Sequence, residues 1–275
     1  MRFGLDIAQQ RVPWSEVAAR ARLADQLGFD GVWGFDHFQP MYGEGPGECF
    51  EASTTLAALT GITENVRLGV LITGMTYRHP SVYAAEAITI DHASGGRLEL
   101  AYGAAWFEKE HRELGIPFPP LKQRIDAFEE AVQIVRGLLT TDGFTFEGEH
   151  FQVRNATLRP RPVQQPHPPI WIGASGEKRM MPIAARYADA WHAWGTPESM
   201  TSKSQRLTEF AEAAGRDPSE ITRASSLSLE DDVDTIAKNI EAWEKAGMQY
   251  LWCGWPPEGR PAVERFATRF LATPG

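Results

Sequence analysis

The chain has 275 residues, 43% of them hydrophobic, which is enough to bury a large core in one or two domains. Its formal net charge is −9, without a basic stripe, and this excludes a nucleic-acid backbone as partner. No apolar run reaches the ~18 residues of a membrane span, so we expect no membrane partner. Two distant cysteines and no signal peptide lead us to expect a cytoplasmic protein without a disulfide framework or zinc motif.

Strands and helices alternate along the whole chain. Hydrophobic periodicity and Gly or Pro boundaries predict eight strands, at 2–7, 31–35, 66–72, 97–102, 170–173, 188–192, 221–227 and 250–254. The same patterns predict eight helices, at 15–28, 51–60, 80–94, 125–139, 177–187, 197–214, 232–246 and 261–271.

Eight such units predict an α/β fold, a (β/α)8 TIM barrel, in one domain spanning residues 1–275. We expect short insertions near 103–123 and 141–169. The segment 106–123 has no clear period, whereas 144–153 alternates like a hairpin with Gly148 at its turn. An open doubly wound sheet is the alternative, but no Gly-x-Gly-x-x-Gly turn follows the first strand.

In such a barrel, the functional residues lie at the carboxyl ends of the strands. Asp36 and His37 follow the second strand, and we expect His37 at the barrel mouth as a proton donor or acceptor oriented by Asp36. A structural hydrogen-bonding pair is the other interpretation of the same two residues. Both interpretations stay open on the local sequence alone.

Small residues follow the fifth predicted strand. Gly173, Ala174, Ser175 and Gly176 precede a helix, and their amides together with the helix dipole favour a bound phosphate. An ordinary strand-to-helix turn has the same composition, so this pattern alone does not decide between a binding loop and a connection. Ser175 lies outside any Gly-x-Ser-x-Gly elbow, which argues against a nucleophile.

The predicted mouth is poor in metal ligands and nucleophiles, and we predict no metal site. Glu108 and His111 form a lone Glu-x-x-His, which we interpret as a solvated surface turn. Small residues and free amides instead suit a bound cofactor that brings its own reactivity.

The ordered set of motifs resembles the luciferase-like monooxygenase superfamily, and within it the oxidoreductases that use the deazaflavin coenzyme F420. The resemblance covers nearly the whole chain and rests on segments 28–33 (GFDGVW), 36–38 (DHF), 67–69 (RLG), 78–80 (RHP), 94–98 (SGGRL), 103–107 (GAAWF) and 169–173 (PIWIG). The ending 33–38 (WGFDHF) of the second strand carries the F420-type likeness.

The resemblance implies a barrel that holds the cofactor ring in its mouth and the phosphate in the loops after the fourth and fifth strands. Those loops contain Gly103, Ala104 and Ala105 in one case and 173–176 in the other. It also implies a bulge, often with a non-prolyl cis peptide, behind the ring. That bulge maps to Leu71, Ile72 and Thr73.

Two positions depart from the family pattern. The usual Gly-x-Gly is here Gly103-Ala104-Ala105, and Trp106 stands where members that oxidise sugar phosphates carry an acid. We therefore do not expect sugar-phosphate oxidation. The resemblance further implies a homodimer.

The sequence thus predicts a hydride-transferring oxidoreductase that uses F420 and acts on a small organic molecule. An FMN-dependent monooxygenase on the same scaffold is one alternative. A flavin- or deazaflavin-binding carrier protein without turnover is an alternative of another class.

Overall fold

The structure, a computed structural model, describes residues 1–271 and confirms the predicted TIM barrel. The strands are Arg2–Asp6 (β1), Gly31–Gly34 (β2), Arg67–Val70 (β3), Thr73–Gly74 (β4), Leu98–Gly103 (β5), Phe144–Glu147 (β6), Gln152–Ala156 (β7), Ile170–Gly173 (β8), Ala190–His192 (β9), Thr222–Leu227 (β10) and Tyr250–Cys253 (β11).

Helices pack around the strands. They are Trp14–Leu27 (α1), Ala52–Thr60 (α2), Pro80–Ala93 (α3), Glu108–Leu114 (α4), Leu121–Thr140 (α5), Met180–Tyr187 (α6), Pro197–Ala213 (α7), Val233–Lys245 (α8) and Arg260–Phe270 (α9). Within the described residues, none of them is both long and apolar enough to cross a bilayer.

The barrel closes through parallel pairing in the order β3, β2, β1, β11, β10, β9, β8, β5, with β3 also pairing β5. The predicted third strand is interrupted: β3 ends at Val70, and β4 resumes at Thr73 beside Tyr102. The peptide between Leu71 and Ile72 is cis, as the family resemblance implies. The interruption lies at the carboxyl end of the barrel, where it shapes the mouth.

The boundaries of several elements follow from local chemistry. α1 ends where Gly28 adopts φ 80°, a left-handed conformation that glycine accepts without steric cost. α3 begins with Pro80 in its first turn, behind the cap of His79. Along α5, Phe128, Val132, Val135 and Leu139 recur at helical spacing and are fully buried.

The two predicted insertions have more order than the sequence indicated. The hairpin is formed by β6 and β7, which pair antiparallel around the expected turn. The segment 106–123, predicted to be irregular, contains α4. The prediction missed this helix because seven residues give too few apolar positions for a helical period to be read.

A separate aromatic cluster fills the barrel interior below the mouth. Trp33, Trp171 and Tyr250 contact one another edge to face, with Trp33 and Trp171 centroids 4.8 Å apart. The indole N–H of Trp33 donates to the Tyr250 hydroxyl at 2.6 Å. Gly4 leaves the room that these rings need, since a Cβ there would lie 2.2 Å from the Tyr250 oxygen and 2.3 Å from Trp33 Nε1.

We therefore predict that Gly4→Ala destabilises the fold by about 1–3 kcal/mol or more, because the added methyl overpacks the interior rings. Urea denaturation monitored by tryptophan fluorescence measures the change. The matched control is Gly61→Ala, where an added Cβ meets nothing within 4 Å. Equal midpoints for the two variants would contradict the packing of this interior cluster.

Candidate active site

A cavity of about 500 Å³ opens at the carboxyl ends of the strands. Its wall includes ten of the residues predicted from the sequence: His37, Leu71, Ile72, Thr73, Gly103, Ala104, Ala105, Gly173, Ala174 and Ser175. Of the remaining two, Asp36 lies behind the wall and Gly176 lies just beyond it. The barrel topology therefore brings together the residues that the sequence placed after four different strands.

His37 forms part of the cavity wall, as predicted, but its partner differs from the prediction. Its Nδ1 lies 3.1 Å from the Oε1 atom of Glu110, and the Tyr77 hydroxyl is 3.4 Å from the same nitrogen. Within the described residues, no hydrogen-bonding partner is present at Nε2. The Glu110 contact therefore selects the tautomer with a proton on Nδ1 and leaves Nε2 available toward the cavity.

Glu110 is a fully buried carboxylate with an unusually complete set of donors. The amides of Phe38 and Gln39 donate to its Oε2 at 2.6 and 2.7 Å, and the Tyr77 hydroxyl donates to Oε1 at 2.6 Å. Burial by itself raises the pKa of Glu110, but the bonds from His37, Tyr77 and the two amides outweigh it and lower the pKa. The group is therefore a stable anion behind the imidazole.

Glu110 and His111 correct the prediction of a solvated surface turn at 108–111. Both side chains are buried, because α4 packs its first turns against the loop after β2. His111 stacks on Tyr77 with centroids 4.7 Å apart and contacts the Thr76 hydroxyl at 2.6 Å. The short helix thus serves as a support for the imidazole of His37.

The prediction that Asp36 orients His37 is wrong. Asp36 points away from the cavity, and Arg78 binds it through two nitrogens, at 2.5 and 3.1 Å. Arg78 also forms ion pairs with Glu51, the residue that caps the start of α2, and with Glu86 on α3. Successive residues at a strand end point in opposite directions, so the neighbour in sequence is not the neighbour in space.

The sequence offered one signal that could have identified Glu110. Glu110 directly precedes His111 and closely follows Trp106 and Phe107, in the segment after the loop 103–105. The contact spans 73 positions in the chain, however, and no local period connects its two ends.

Two glycines form a close-packed cradle around the interrupted strand. A Cβ on Gly173 would lie 2.0 Å from Ile72 Cδ1, and one on Gly103 would lie 3.1 Å from Ile72 Cγ2. Ile72 therefore projects into space that only glycine leaves free. The result is an apolar shelf of Leu71 and Ile72 beside the small residues of the two loops.

Unpaired backbone donors border this shelf. Within residues 1–271, the amides of Ala104, Ala105, Ser175 and Gly176 have no hydrogen-bond acceptor, whereas the amide of Ala174 donates to the carbonyl of His192. Free amides at neighbouring strand ends form a concave anion site. Their position supports the phosphate-binding interpretation of the two loops over that of plain connections.

A polar wall formed by Asp6, His192 and Trp252 is absent from the predicted site residues. His192 Nε2 and Trp252 Nε1 are buried and unpartnered within the described residues. Burial lowers the pKa of His192 to about 3, so its ring is neutral. Burial also raises the pKa of Asp6 to about 7, although the Ala8 amide donates to its Oδ1 at 2.9 Å.

These residues suit an organic group better than a metal ion. In the part of the chain that the structure describes, no cluster of three or more His, Cys, Asp or Glu side chains is able to hold a metal. The unpartnered His192 and Trp252 atoms, the glycine cradle and the free amides instead match a planar, phosphate-bearing group with hydrogen-bonding edges.

The family model described as luciferase-like monooxygenase matches residues 1–265. One relative, an F420-dependent glucose-6-phosphate dehydrogenase from Microbacterium testaceum, is 31% identical over 88% of this chain and 73% of its own length. Another, an FMNH(2)-dependent dimethylsulfone monooxygenase from Pseudomonas putida, is 30% identical over 67% of this chain and 50% of its own.

A solved structure has the same fold at lower identity. It is an F420-dependent secondary alcohol dehydrogenase in complex with an F420-acetone adduct. It superposes with a TM-score of 0.87 and 21% identity over 100% of this chain and 99% of its own. From the match of the family model and the identity to these relatives, the chain belongs to the luciferase-like monooxygenase family.

Proposed function

We propose that this protein is an F420-dependent oxidoreductase that transfers hydride between the deazaflavin and a small organic substrate. The observation that carries the proposal is the His37–Glu110 pair, which presents one ring nitrogen to a cavity bordered by amides that have no acceptor within residues 1–271. Relatives with about 30% identity are named as F420-dependent dehydrogenases, which favours this cofactor.

The residues present fit a deazaflavin. The shelf of Leu71 and Ile72 would support the ring, and the amides of Ala104, Ala105, Ser175 and Gly176 would hold the phosphate. When bound, this cofactor supplies or accepts a hydride at its reactive carbon and reacts poorly with oxygen. The protein then has to bind the substrate, exclude water and move one proton.

His37 is the group that moves this proton. With a proton on Nδ1 bound to Glu110, Nε2 accepts a proton from a substrate hydroxyl, or returns one to a substrate oxygen in the reverse direction. The anion of Glu110 stabilises the imidazolium that results, because opposite charges attract strongly where water is absent. The Tyr77 hydroxyl and the two loop amides keep the carboxylate in place.

An FMN-dependent monooxygenase is the second candidate, favoured by the likeness to the Pseudomonas putida enzyme. The amides of Ala104, Ala105, Ser175 and Gly176 suit the phosphate of either cofactor. A carrier protein without turnover would need the amides and the shelf but not a cavity-facing imidazole held by a buried anion.

The cofactor assignment predicts that the full-length protein binds F420 much more tightly than FMN. Fluorescence titration of the protein with each cofactor, oxidised and in the same buffer, measures the two dissociation constants. Substrate-dependent reoxidation of bound reduced F420 then separates an enzyme from a carrier. Comparable or tighter FMN binding, together with oxygen consumption, would establish the monooxygenase instead.

The mechanism predicts that His37→Ala lowers single-turnover hydride transfer by roughly 10²–10⁴-fold, the usual contribution of general acid–base catalysis. Cofactor affinity should change little, because the mutation leaves the amides of both loops intact. Glu110→Gln should slow the same step as well, since the charge is lost and the amide NH2 replaces one of two oxygens that both accept hydrogen bonds.

The matched control is Asp36→Asn, which weakens the Arg78 ion pairs outside the cavity. We expect it to lower stability rather than the rate of hydride transfer in the folded protein. A normal rate for His37→Ala, or equal losses of rate and cofactor affinity, would contradict the role given to His37.

The raised pKa of Asp6 predicts a pH-dependent cost of folding. In the unfolded chain the carboxyl ionises near 3.8, whereas in the folded protein it keeps its proton up to about pH 7. The free energy of unfolding therefore falls as pH rises through this window. Asp6→Asn should remove this pH dependence. The free energy of unfolding of the variant minus that of the wild type should therefore increase by about 3 kcal/mol from pH 5 to pH 8.

Urea denaturation at several pH values measures this difference, with Asp25→Asn as control. Burial raises the pKa of Asp25, but the amides of Glu64, Asn65 and Val66 outweigh it and lower the pKa. Asp25 therefore titrates below the tested window. The loss in free energy of unfolding caused by Asp25→Asn should not change from pH 5 to pH 8. A flat profile for Asp6→Asn as well would contradict the buried, protonated Asp6.

A further inference from the structure

The rim of the cavity carries an unusual concentration of exposed apolar side chains. Tyr42, Trp106, Leu121 and Trp194 are 68, 63, 60 and 56% exposed, and all four line the opening. Only four other large hydrophobic side chains are exposed in the described residues, and none of those lines the cavity. We call the four rim residues the apolar collar.

The collar is assembled from separate parts of the chain. Tyr42 lies in the loop after β2, Trp106 after β5, Leu121 at the start of α5 and Trp194 after β9. Single exposed apolar residues are normal on protein surfaces, but several of them around one opening are typical of a binding site.

The two collar tryptophans connect the rim to the polar groups inside. The ring of Trp106 lies edge to face with His37, with centroids 5.7 Å apart. On the other side, the ring centroid of Trp194 lies 4.9 Å from that of His192 and 5.3 Å from that of Trp252. A molecule between the two indoles therefore lies next to the imidazole that handles the proton.

The charges of the cavity oppose a second anion. Among the described residues, no Lys or Arg lines it, and its ionisable side chains are Asp6, His37, Tyr42 and His192. His192 is neutral, while the Glu110 carboxylate lies directly behind His37. Unpaired amides occur on the two loops of the cradle, but the collar adds no cation to them.

We infer that the substrate is an uncharged organic molecule with a ring-sized apolar body, which the apolar collar covers while its oxygen faces His37. The inference rests on the proposed function only in taking the occupant of the collar to be the substrate. Apolar area removed from water and aromatic contact with Trp106 and Trp194 provide the affinity. A phosphate or carboxylate on the same body would lose its hydration without gaining a cation.

The test compares two probes that differ by one charge, 2-acetylnaphthalene and its carboxylate 6-acetyl-2-naphthoate. Calorimetric titration of the protein in the presence of saturating F420, so that the cofactor and not the probe occupies the loop amides, measures both affinities. We expect the neutral ketone to bind at least about tenfold more tightly than the anion, which corresponds to ~1.4 kcal/mol. Equal affinities, or tighter binding of the anion, would overturn the inference.

Variants of the apolar collar then show where the neutral probe binds. Trp106→Ala and Trp194→Ala should each weaken the neutral probe about tenfold and leave the F420 dissociation constant nearly unchanged. Val163→Ala is the matched control, since Val163 is 45% exposed but lies outside the cavity. Unaltered probe binding in both tryptophan variants would overturn the inference, as would a loss of F420 affinity equal to the loss of probe affinity.

Two further results separate this inference from the proposed function. A protein that selects the neutral probe through the collar but does not bind F420 would refute the cofactor and keep the substrate class. Sedimentation of the wild type and of Trp194→Ala tests whether the collar is instead an interface between subunits. If the variant dissociates an oligomer and keeps its affinity for the probe, the collar is a subunit interface and the inference fails.

Discussion

The buried carboxylate of Glu110 is the interaction on which the site depends. It joins the loop after β2 to α4 and to Tyr77, and it receives hydrogen bonds from both loop amides, the phenol and the imidazole. An anion withdrawn from water is tolerated only with such a set of donors. These hydrogen bonds offset the cost of burying the carboxylate, and one of them holds His37 in one tautomer and one orientation.

The interruption of the barrel wall provides the complementary constraint. Where β3 stops at Val70, the chain turns inward and Ile72 enters the space beside Gly103 and Gly173. The adjoining loops then consist of small residues whose amides are left without partners in residues 1–271. Loss of regular pairing at this point of the sheet thus places an apolar surface beside these backbone donors.

In the cavity, the backbone and the side chains have different roles. Amide donors can hold a phosphate without any lysine or arginine, so the side chains are free to be apolar at the rim and acidic or neutral within. This division explains how a chain with a net charge of −9 is able to offer an anion site. The residues of the rim lie in loops and at the start of α5, outside the strands of the barrel.

The sequence by itself determined the barrel, the strands that meet at its mouth and ten of the twelve proposed wall residues, because strand and helix periods are local and parallel strands end on one face. It also placed His37 correctly at that face. Only the tertiary structure decided that Glu110 supports His37 while Asp36 binds Arg78, and that Asp6, His192 and Trp252 share one wall. The physical reason is that these partners are chosen by distance in space across the closed barrel, where contacts such as that between residues 37 and 110 carry no period in the sequence.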